Sequence, residues 1–202
     1  MKNSAFIDTD IVIKIGNYEG EDLLKKILGS YDYDLYIHEY IIKEELLSSE
    51  NAKRQINEMI EEETLRVFLE SSLNLDEKIG YSLTKDLLSK DSDKKLDDKP
   101  RKNLGEILSM SAAYVKGYSC FISDDKEAKM FAKDYLIYDS GDSIKVINMK
   151  DIVKYVSDNE SMGIKRKTMK HLYISLGLGC EDRIKKLKLE FEQIWPAKIF
   201  NA

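Results

Sequence analysis

The chain has 202 residues, of which 43% are hydrophobic and 34% are charged, and its formal net charge is -5. These values suit one α/β domain with a small appendage, and they exclude a globally basic surface as the means of binding nucleic acid. The two cysteines, Cys120 and Cys180, lie in apolar contexts, so we expect buried free thiols. The N-terminus lacks a signal-like apolar segment and no apolar run approaches ~18 residues, so we expect a cytoplasmic protein without membrane spans.

Strands and helices are predicted to alternate along the chain. Short runs of apolar residues predict strands at 5–7, 35–37, 118–122 and 144–147. Helical spacing of apolar residues predicts helices over 21–28, 40–47, 51–70, 71–88, 104–116, 126–133 and 149–156. This alternation indicates an α/β fold with a central parallel sheet that is covered by helices on both faces.

Two segments differ from this pattern. Residues 89–103 are the most polar part of the chain, which predicts an exposed loop within the domain. From about Ser157 the composition changes, and two helical candidates follow, separated by a glycine-containing break at 177–179. The second candidate has an apolar face that includes Trp195, which fits either packing within the protein or contact with a protein partner.

Acidic residues follow the apolar runs at four places. Asp8 ends the first strand, Glu45 follows an apolar pair in a predicted helix, Glu106 lies in the first turn of another helix, and Asp124 and Asp125 end the strand at 118–122. Carboxylates at strand ends and helix starts can converge at one edge of an α/β sheet. Because such a cluster repels itself unless it holds cations, the pattern indicates a divalent-metal site for phosphodiester cleavage.

Each acid also has a structural interpretation, as a helix cap or as an exposed residue. Glu45 is preferred to Glu44, since it lies on the same helical face as the apolar pair before it. Adjacent residues at a strand end point in opposite directions, so we expect one of the two aspartates to face the site. Asp124 is the preferred ligand, with Asp125 as a supporting residue or helix cap.

The order and spacing of these motifs resemble those of the PIN-domain nucleases, including the toxin ribonucleases of bacterial toxin–antitoxin pairs. The matching segments are Phe6-Ile7-Asp8-Thr9-Asp10, Tyr40-Ile41-Ile42-Lys43-Glu44-Glu45-Leu46, Leu104-Gly105-Glu106-Ile107 and Phe121-Ile122-Ser123-Asp124-Asp125-Lys126-Glu127-Ala128. The segments Lys145-Val146-Ile147 and Met149-Lys150-Asp151-Ile152-Val153 resemble the closing strand and helix of the family. The similarity extends over roughly residues 5–156.

The resemblance implies a three-layer PIN-like domain over 1–156 and a C-terminal helical extension over 157–202. It implies Mg²⁺ or Mn²⁺ held by Asp8, Glu45, Glu106 and Asp124, with Asp125 as a further ligand, and cleavage of RNA in preference to DNA. An antitoxin or a second copy of the chain is the partner expected for the C-terminal helices. The charged insert at about 60–103 and the extension after 157 depart from the family pattern.

Two other interpretations remain open. Asp8-Thr9-Asp10-Ile11-Val12 also resembles the first motif of haloacid-dehalogenase-like phosphatases, in which Asp8 would be the nucleophile and Asp10 the acid/base. That interpretation gives no role to Glu45 or Glu106, and His38 and Glu39 stand where a serine or threonine is needed. The third interpretation is a non-catalytic α/β interaction module.

Basic residues precede Glu106 and provide a candidate contact for nucleic acid. Lys99, Arg101 and Lys102 are expected to reach substrate phosphates beside the metal site. The alternative is an exposed loop, since acidic residues are interspersed among the basic ones. We predict that reversing these three charges weakens nucleic-acid binding.

Overall fold

A computed structural model describes residues 2–18, 21–93 and 103–196. The chain divides into two compact units, Met1–Ile147 and Asn148–Ala202. The first unit holds all the strands that are described, and the second is helical.

The described part of the first unit contains a five-stranded, all-parallel sheet flanked by helices, which confirms the predicted α/β class. The strand order is β3-β2-β1-β4-β5, so the chain reverses its direction of travel across the sheet at β1. The strands are β1 (Lys2–Ile7), β2 (Asp34–His38), β3 (Arg66–Phe68), β4 (Tyr118–Ile122) and β5 (Lys145–Ile147). The apolar ends of β1 and β4 are fully or almost fully buried, as expected for central strands covered on both faces.

The helices of the first unit connect these strands. They are α1 (Thr9–Gly16), α2 (Leu23–Leu28), α3 (Glu50–Glu61), α4 (Leu75–Asp93), α5 (Leu104–Lys116) and α6 (Lys126–Asp134), together with a π-helical turn at Ile41–Glu45 and a 3₁₀ turn at Glu70–Ser72. Small side chains let α5 pack closely into the core, where Ser109, Ala112 and Ala113 are fully buried. Gly117 ends α5 with a φ of 69°, a left-handed conformation that glycine adopts without a steric cost.

The segment after the π-helical turn differs from the sequence prediction. The helix predicted over 51–70 ends at Glu61, and Leu65 is followed by the edge strand β3. Leu47, the last residue of the helix predicted over 40–47, is 63% exposed. The helix predicted over 71–88 is present as α4 but begins later, at Leu75, and extends further, to Asp93.

The second unit contains α7 (Met149–Asp158), α8 (Arg166–Ser175) and α9 (Glu181–Ile194). Asn148 and Asp151 form a reciprocal capping box at the start of α7. Three aromatic rings form a core cluster between α8 and α9, with centroids 5.1 to 5.7 Å apart: Tyr173, Phe191 and Trp195. The apolar face predicted for α9 therefore packs, at least in part, within this unit.

Two further expectations concern the cysteines and the membrane. Both cysteines are free thiols. Cys120 is buried as predicted, but Cys180, the N-cap residue of α9, is exposed, so the prediction is wrong for this residue. Within the described ranges, no helix combines the length and apolar character that crossing a membrane requires.

Candidate active site

The candidate site lies at the carboxyl edge of the sheet, between the two central strands. β1 and β4 are hydrogen-bonded neighbours. The strand that follows β1 in the chain, β2, lies toward one edge of the sheet, and the strand that follows β4, β5, lies at the other edge. The backbone N–H of Asp8 still donates to the Ile122 carbonyl at 3.0 Å, so the chain segments that follow both strands start side by side. Parallel α/β sheets place their ligands in the crevice that such a reversal creates.

A pocket of about 390 Å³ opens at this point. Seven polar residues line it. Two of them are Thr9 and Asn103, and the other five carry carboxyl groups: Asp8, Asp10, Glu45, Glu106 and Asp125. The structure therefore brings together Asp8, Glu45, Glu106 and Asp125, which were predicted from widely separated parts of the sequence.

Asp8 is held rigidly at the end of β1. One carboxylate oxygen accepts a hydrogen bond from the hydroxyl of Ser123 at 2.9 Å, and the other accepts one from the Thr9 N–H at 2.8 Å. Burial raises the pKa of Asp8 to about 7, and repulsion from Asp10 and Glu45 adds to this effect, while the two hydrogen bonds oppose it. This carboxylate is thus kept where its negative charge is destabilised unless a positive charge lies nearby.

Glu45 reaches the pocket from the end of the π-helical turn. Its carboxylate accepts a hydrogen bond from the Thr9 hydroxyl and another from the Gly105 N–H at 3.2 Å. π-Helical turns are rare and are often found at functional sites, where they redirect a side chain. The carboxylate lies at the N-terminus of α5, whose dipole favours a negative charge there.

Gly105 makes this approach possible because it has no side chain. A Cβ atom at this position would lie 2.6 Å from Glu45 Oε2, closer than such atoms can approach. A side chain at position 105 would therefore force the end of the flexible Glu45 side chain to move away from the helix backbone.

Glu106 is the most deeply buried acid of the pocket, with 4% of its surface exposed. Its Oε1 atom is buried and has no hydrogen-bond partner. Burial raises the pKa of Glu106 to about 10, and repulsion from Asp8, Asp125 and Glu127 contributes further. Buried polar atoms are normally paired, so the unpaired oxygen of this pocket-lining side chain is available to a ligand such as a cation.

The two aspartates after β4 take different places. Asp125 lines the pocket and caps α6, accepting a hydrogen bond from the Glu127 N–H at 2.8 Å. Asp124, the ligand preferred from the sequence, is absent from the described residues that line the pocket. Its carboxylate lies 2.9 Å from the ammonium nitrogen of Lys14, which also lies 3.4 Å from a carboxylate oxygen of Asp10.

Lys14 supplies a positive charge beside these acids, through its ion pairs with Asp124 and Asp10. Burial lowers its pKa, but the attraction of Asp124, and to a smaller extent of Asp10, outweighs burial and leaves the pKa raised overall. Lys14 therefore stays charged and compensates Asp124 at the margin of the acidic group. Neither the ion pair nor its effect on Asp124 was foreseen from the sequence.

Several polar residues of the site were also missed by sequence reasoning. Thr9 and Ser123 position the carboxylates, and Asn103 lines the pocket while its side-chain amide donates to Glu127 at 3.0 Å. Asn103 has a φ of 69°, a conformation that asparagine tolerates better than most residues. A polar residue directly beside a strand-end aspartate, such as Thr9, was the one available signal in the sequence.

The donor set of the pocket fits a hard divalent cation. Carboxylate oxygens predominate, as Mg²⁺ and Mn²⁺ prefer, and one of these oxygens is buried without a partner. Across the described ranges, no group of three or more His, Cys, Asp or Glu side chains already stands in metal-holding geometry. A cation would therefore have to compete with the hydrogen bonds that now hold Asp8 and Glu45.

Three predicted residues cannot be placed at this site. Lys99, Arg101 and Lys102, the predicted nucleic-acid contacts, lie outside the described residues. Their role stays a prediction. His38, which stands where the phosphatase motif needs a serine or threonine, is buried, and its ring forms a hydrogen bond with the Tyr81 hydroxyl at 3.2 Å.

Comparison with known proteins does not assign the chain to a family. No protein-family model, curated protein or solved structure matches it significantly.

Proposed function

We propose that the chain is a metal-dependent nuclease of the PIN-domain type, with RNA preferred to DNA as its substrate. The observation that carries the proposal is the convergence of Asp8, Glu45, Glu106 and Asp125 on one pocket that includes an unpartnered oxygen of Glu106. A parallel sheet flanked by helices agrees with the three-layer fold that the sequence resemblance implies.

In this proposal the side chains of the pocket would hold the cation on which the chemistry depends. A bound Mg²⁺ or Mn²⁺ would lower the pKa of a water ligand and polarise the phosphate. Asp8 and Glu45 accept hydrogen bonds from Ser123, Thr9 and the backbone of Gly105, and a cation would have to displace some of these bonds to take both carboxylates as ligands. A bound cation would take the place of the proton that Glu106 holds at neutral pH, and Asp125 offers a further oxygen ligand in the same pocket.

One observation favours the phosphatase as the second candidate. Asp10 lines the same pocket as Asp8, as a pair of nucleophile and acid/base would require. The phosphatase interpretation leaves Glu45 and Glu106 without a role, although both belong to the pocket. The nuclease proposal gives a role to the acids of all four segments in which they were predicted, and it is preferred for that reason.

The experiment that tests the proposal is cleavage of matched single-stranded RNA and DNA oligonucleotides by purified protein in Mg²⁺, Mn²⁺ or EDTA. Asp8→Asn and Glu106→Gln remove one charge each while keeping the shape of the side chain. Glu44→Gln is the matched control, because Glu44 is the exposed neighbour of Glu45 on the same turn. An aryl phosphate monoester in a parallel assay reports phosphatase activity.

The nuclease proposal predicts metal-dependent cleavage that is reduced by about 10²-fold or more in both site variants and is unchanged in Glu44→Gln. Release of phosphate from the monoester that depends on Asp8 but not on Glu106 would establish the phosphatase instead. Folded protein that neither cleaves nor binds Mn²⁺ would support the non-catalytic module.

A further inference from the structure

Helix α4 carries apolar side chains on two opposite faces. Its inner face packs against α5, and Tyr81, Thr84 and Leu88 are buried there. Its outer face carries four large apolar residues that are 74%, 53%, 66% and 45% exposed, in chain order: Leu75, Ile79, Leu83 and Leu87. We call these four residues the α4 ridge.

The regular spacing of the α4 ridge distinguishes it from scattered surface leucines. Residues four apart form one continuous row on a helix surface, and such rows fit into the grooves of a neighbouring helix. Isolated exposed leucines are ordinary, but a contiguous apolar row over most of a 19-residue helix marks a contact surface. The segment at 94–102 that follows α4 contains a single large apolar residue, Leu96, so its composition is unsuited to covering four.

The charges beside the α4 ridge indicate what covers it. The adjacent row on the helix surface is formed by Lys78, Ser82 and Asp86, all exposed. A two-fold axis near Ser82 would place Lys78 of one copy opposite Asp86 of the other, and would do so twice. The same axis pairs Ile79 with Leu83 across the interface, and the small Ser82 at its centre permits close approach of the two helices.

We propose that α4 is the interface of a homodimer, in which the α4 ridges of two copies pack antiparallel around a two-fold axis near Ser82. A surface that is complementary to itself is the requirement for such an interface, and rows of this kind cross at about −50°. Antiparallel packing also aligns the helix dipoles favourably. The interface lies outside the residues of the acidic pocket, and the proposal stands whether or not the chain is a nuclease.

The first test is the mass of the full chain in solution, measured by sedimentation velocity up to about 100 µM. The monomer has a mass of 23.4 kDa, and the proposal predicts a species of twice that mass. Leu83→Glu should abolish the dimer. Leu189→Glu, in α9, is the matched control, because Leu189 is exposed to nearly the same extent as Leu83, 68% against 66%, and this variant should leave the dimer intact.

The second test exchanges the charges of Lys78 and Asp86. Dimerisation should survive the exchange only if the two residues face each other across an antiparallel interface. Lys78→Glu alone and Asp86→Lys alone should each weaken dimerisation about tenfold, since each creates two like-charge contacts per dimer. The double variant Lys78→Glu/Asp86→Lys should restore the dimer to within about threefold of the wild type. Circular dichroism checks that each variant is folded.

Three results would overturn the proposal. The first is a wild-type chain that stays monomeric over the whole concentration range. The second is a dimer that survives Leu83→Glu or is lost in Leu189→Glu, because the interface would then lie on another surface. The third is a double charge variant that is weaker than both single variants, which would exclude the antiparallel arrangement.

Discussion

Replacing Glu106 by glutamine should stabilise the metal-free protein, although it should abolish activity. The reasoning depends on linkage between ionisation and folding. Below a pH of about 4.5, the ordinary pKa of this carboxyl, Glu106 is protonated in both folded and unfolded chains and carries no penalty. Above that pH the unfolded chain releases the proton, while the folded chain retains it up to its pKa of about 10.

The magnitude follows from the difference between these two values. Each pH unit above 4.5 lowers the free energy of unfolding by about 1.4 kcal/mol, so at pH 7 the penalty is at most about 3 kcal/mol. Glutamine removes it because the amide does not ionise. We expect a gain of about 1 to 3 kcal/mol at pH 7, which raises the Tm by several degrees in a chain of this size.

The assay is urea denaturation of wild type and Glu106→Gln in EDTA at several pH values between 5 and 8. Far-UV circular dichroism is the suitable probe, because the single tryptophan, Trp195, lies in the second unit and reports on that unit. The stability difference should widen as the pH rises. Glu44→Gln, at an exposed position, should show no such trend.

Addition of Mg²⁺ or Mn²⁺ should reverse the order of stability. A cation that binds the folded wild type stabilises it by mass action, and the amide of Glu106→Gln is a poorer ligand. The reasoning would be refuted if Glu106→Gln were less stable than wild type in EDTA, or if the difference between them were the same at pH 5 and pH 8.

Three further substitutions test how the pocket is built. Gly105→Ala should reduce cleavage at least tenfold, because the new methyl group would displace the Glu45 carboxylate. The variant should lose little stability, since the atoms that must move are at the end of a flexible side chain. Wild-type activity in this variant would show that the close contact is dispensable. Asp125→Asn should lose activity while keeping its helix cap, because Asp125 lines the pocket. Asp124→Asn should retain more activity, because Asp124 is absent from the described lining. The opposite ranking of the two variants in single-turnover assays would contradict this assignment.

The central elements of the fold were predictable because their signals are local. The strand at 118–122 and the helix at 104–116 have the predicted bounds, since a buried apolar run and an amphipathic pattern ended by glycine are strong signals. β3 was missed because three residues after a charged helix carry too little periodicity. The apolar spacing of α4 correctly predicted a helix but does not reveal that its most apolar row faces outward.

The acids of the site were partly predictable for a related reason. Asp8, Glu45 and Glu106 follow from strand ends and helix faces. The choice between Asp124 and Asp125 depends on how the chain leaves β4, where Ser123 bonds to Asp8 and the chain turns into α6. No local pattern encodes that turn, and the ion pair that engages Asp124 joins residues 110 positions apart.

The most direct test of the central claim is to locate Mn²⁺ in crystals of the protein by anomalous scattering. The account predicts a peak in the pocket at the carboxyl ends of β1 and β4, with ligands drawn from the carboxyl groups of Asp8, Glu45, Glu106 and Asp125. The peak should be absent in Glu106→Gln crystals grown in the same way. Mn²⁺ that binds only elsewhere, or a pocket that stays without a peak at millimolar Mn²⁺, would contradict the account.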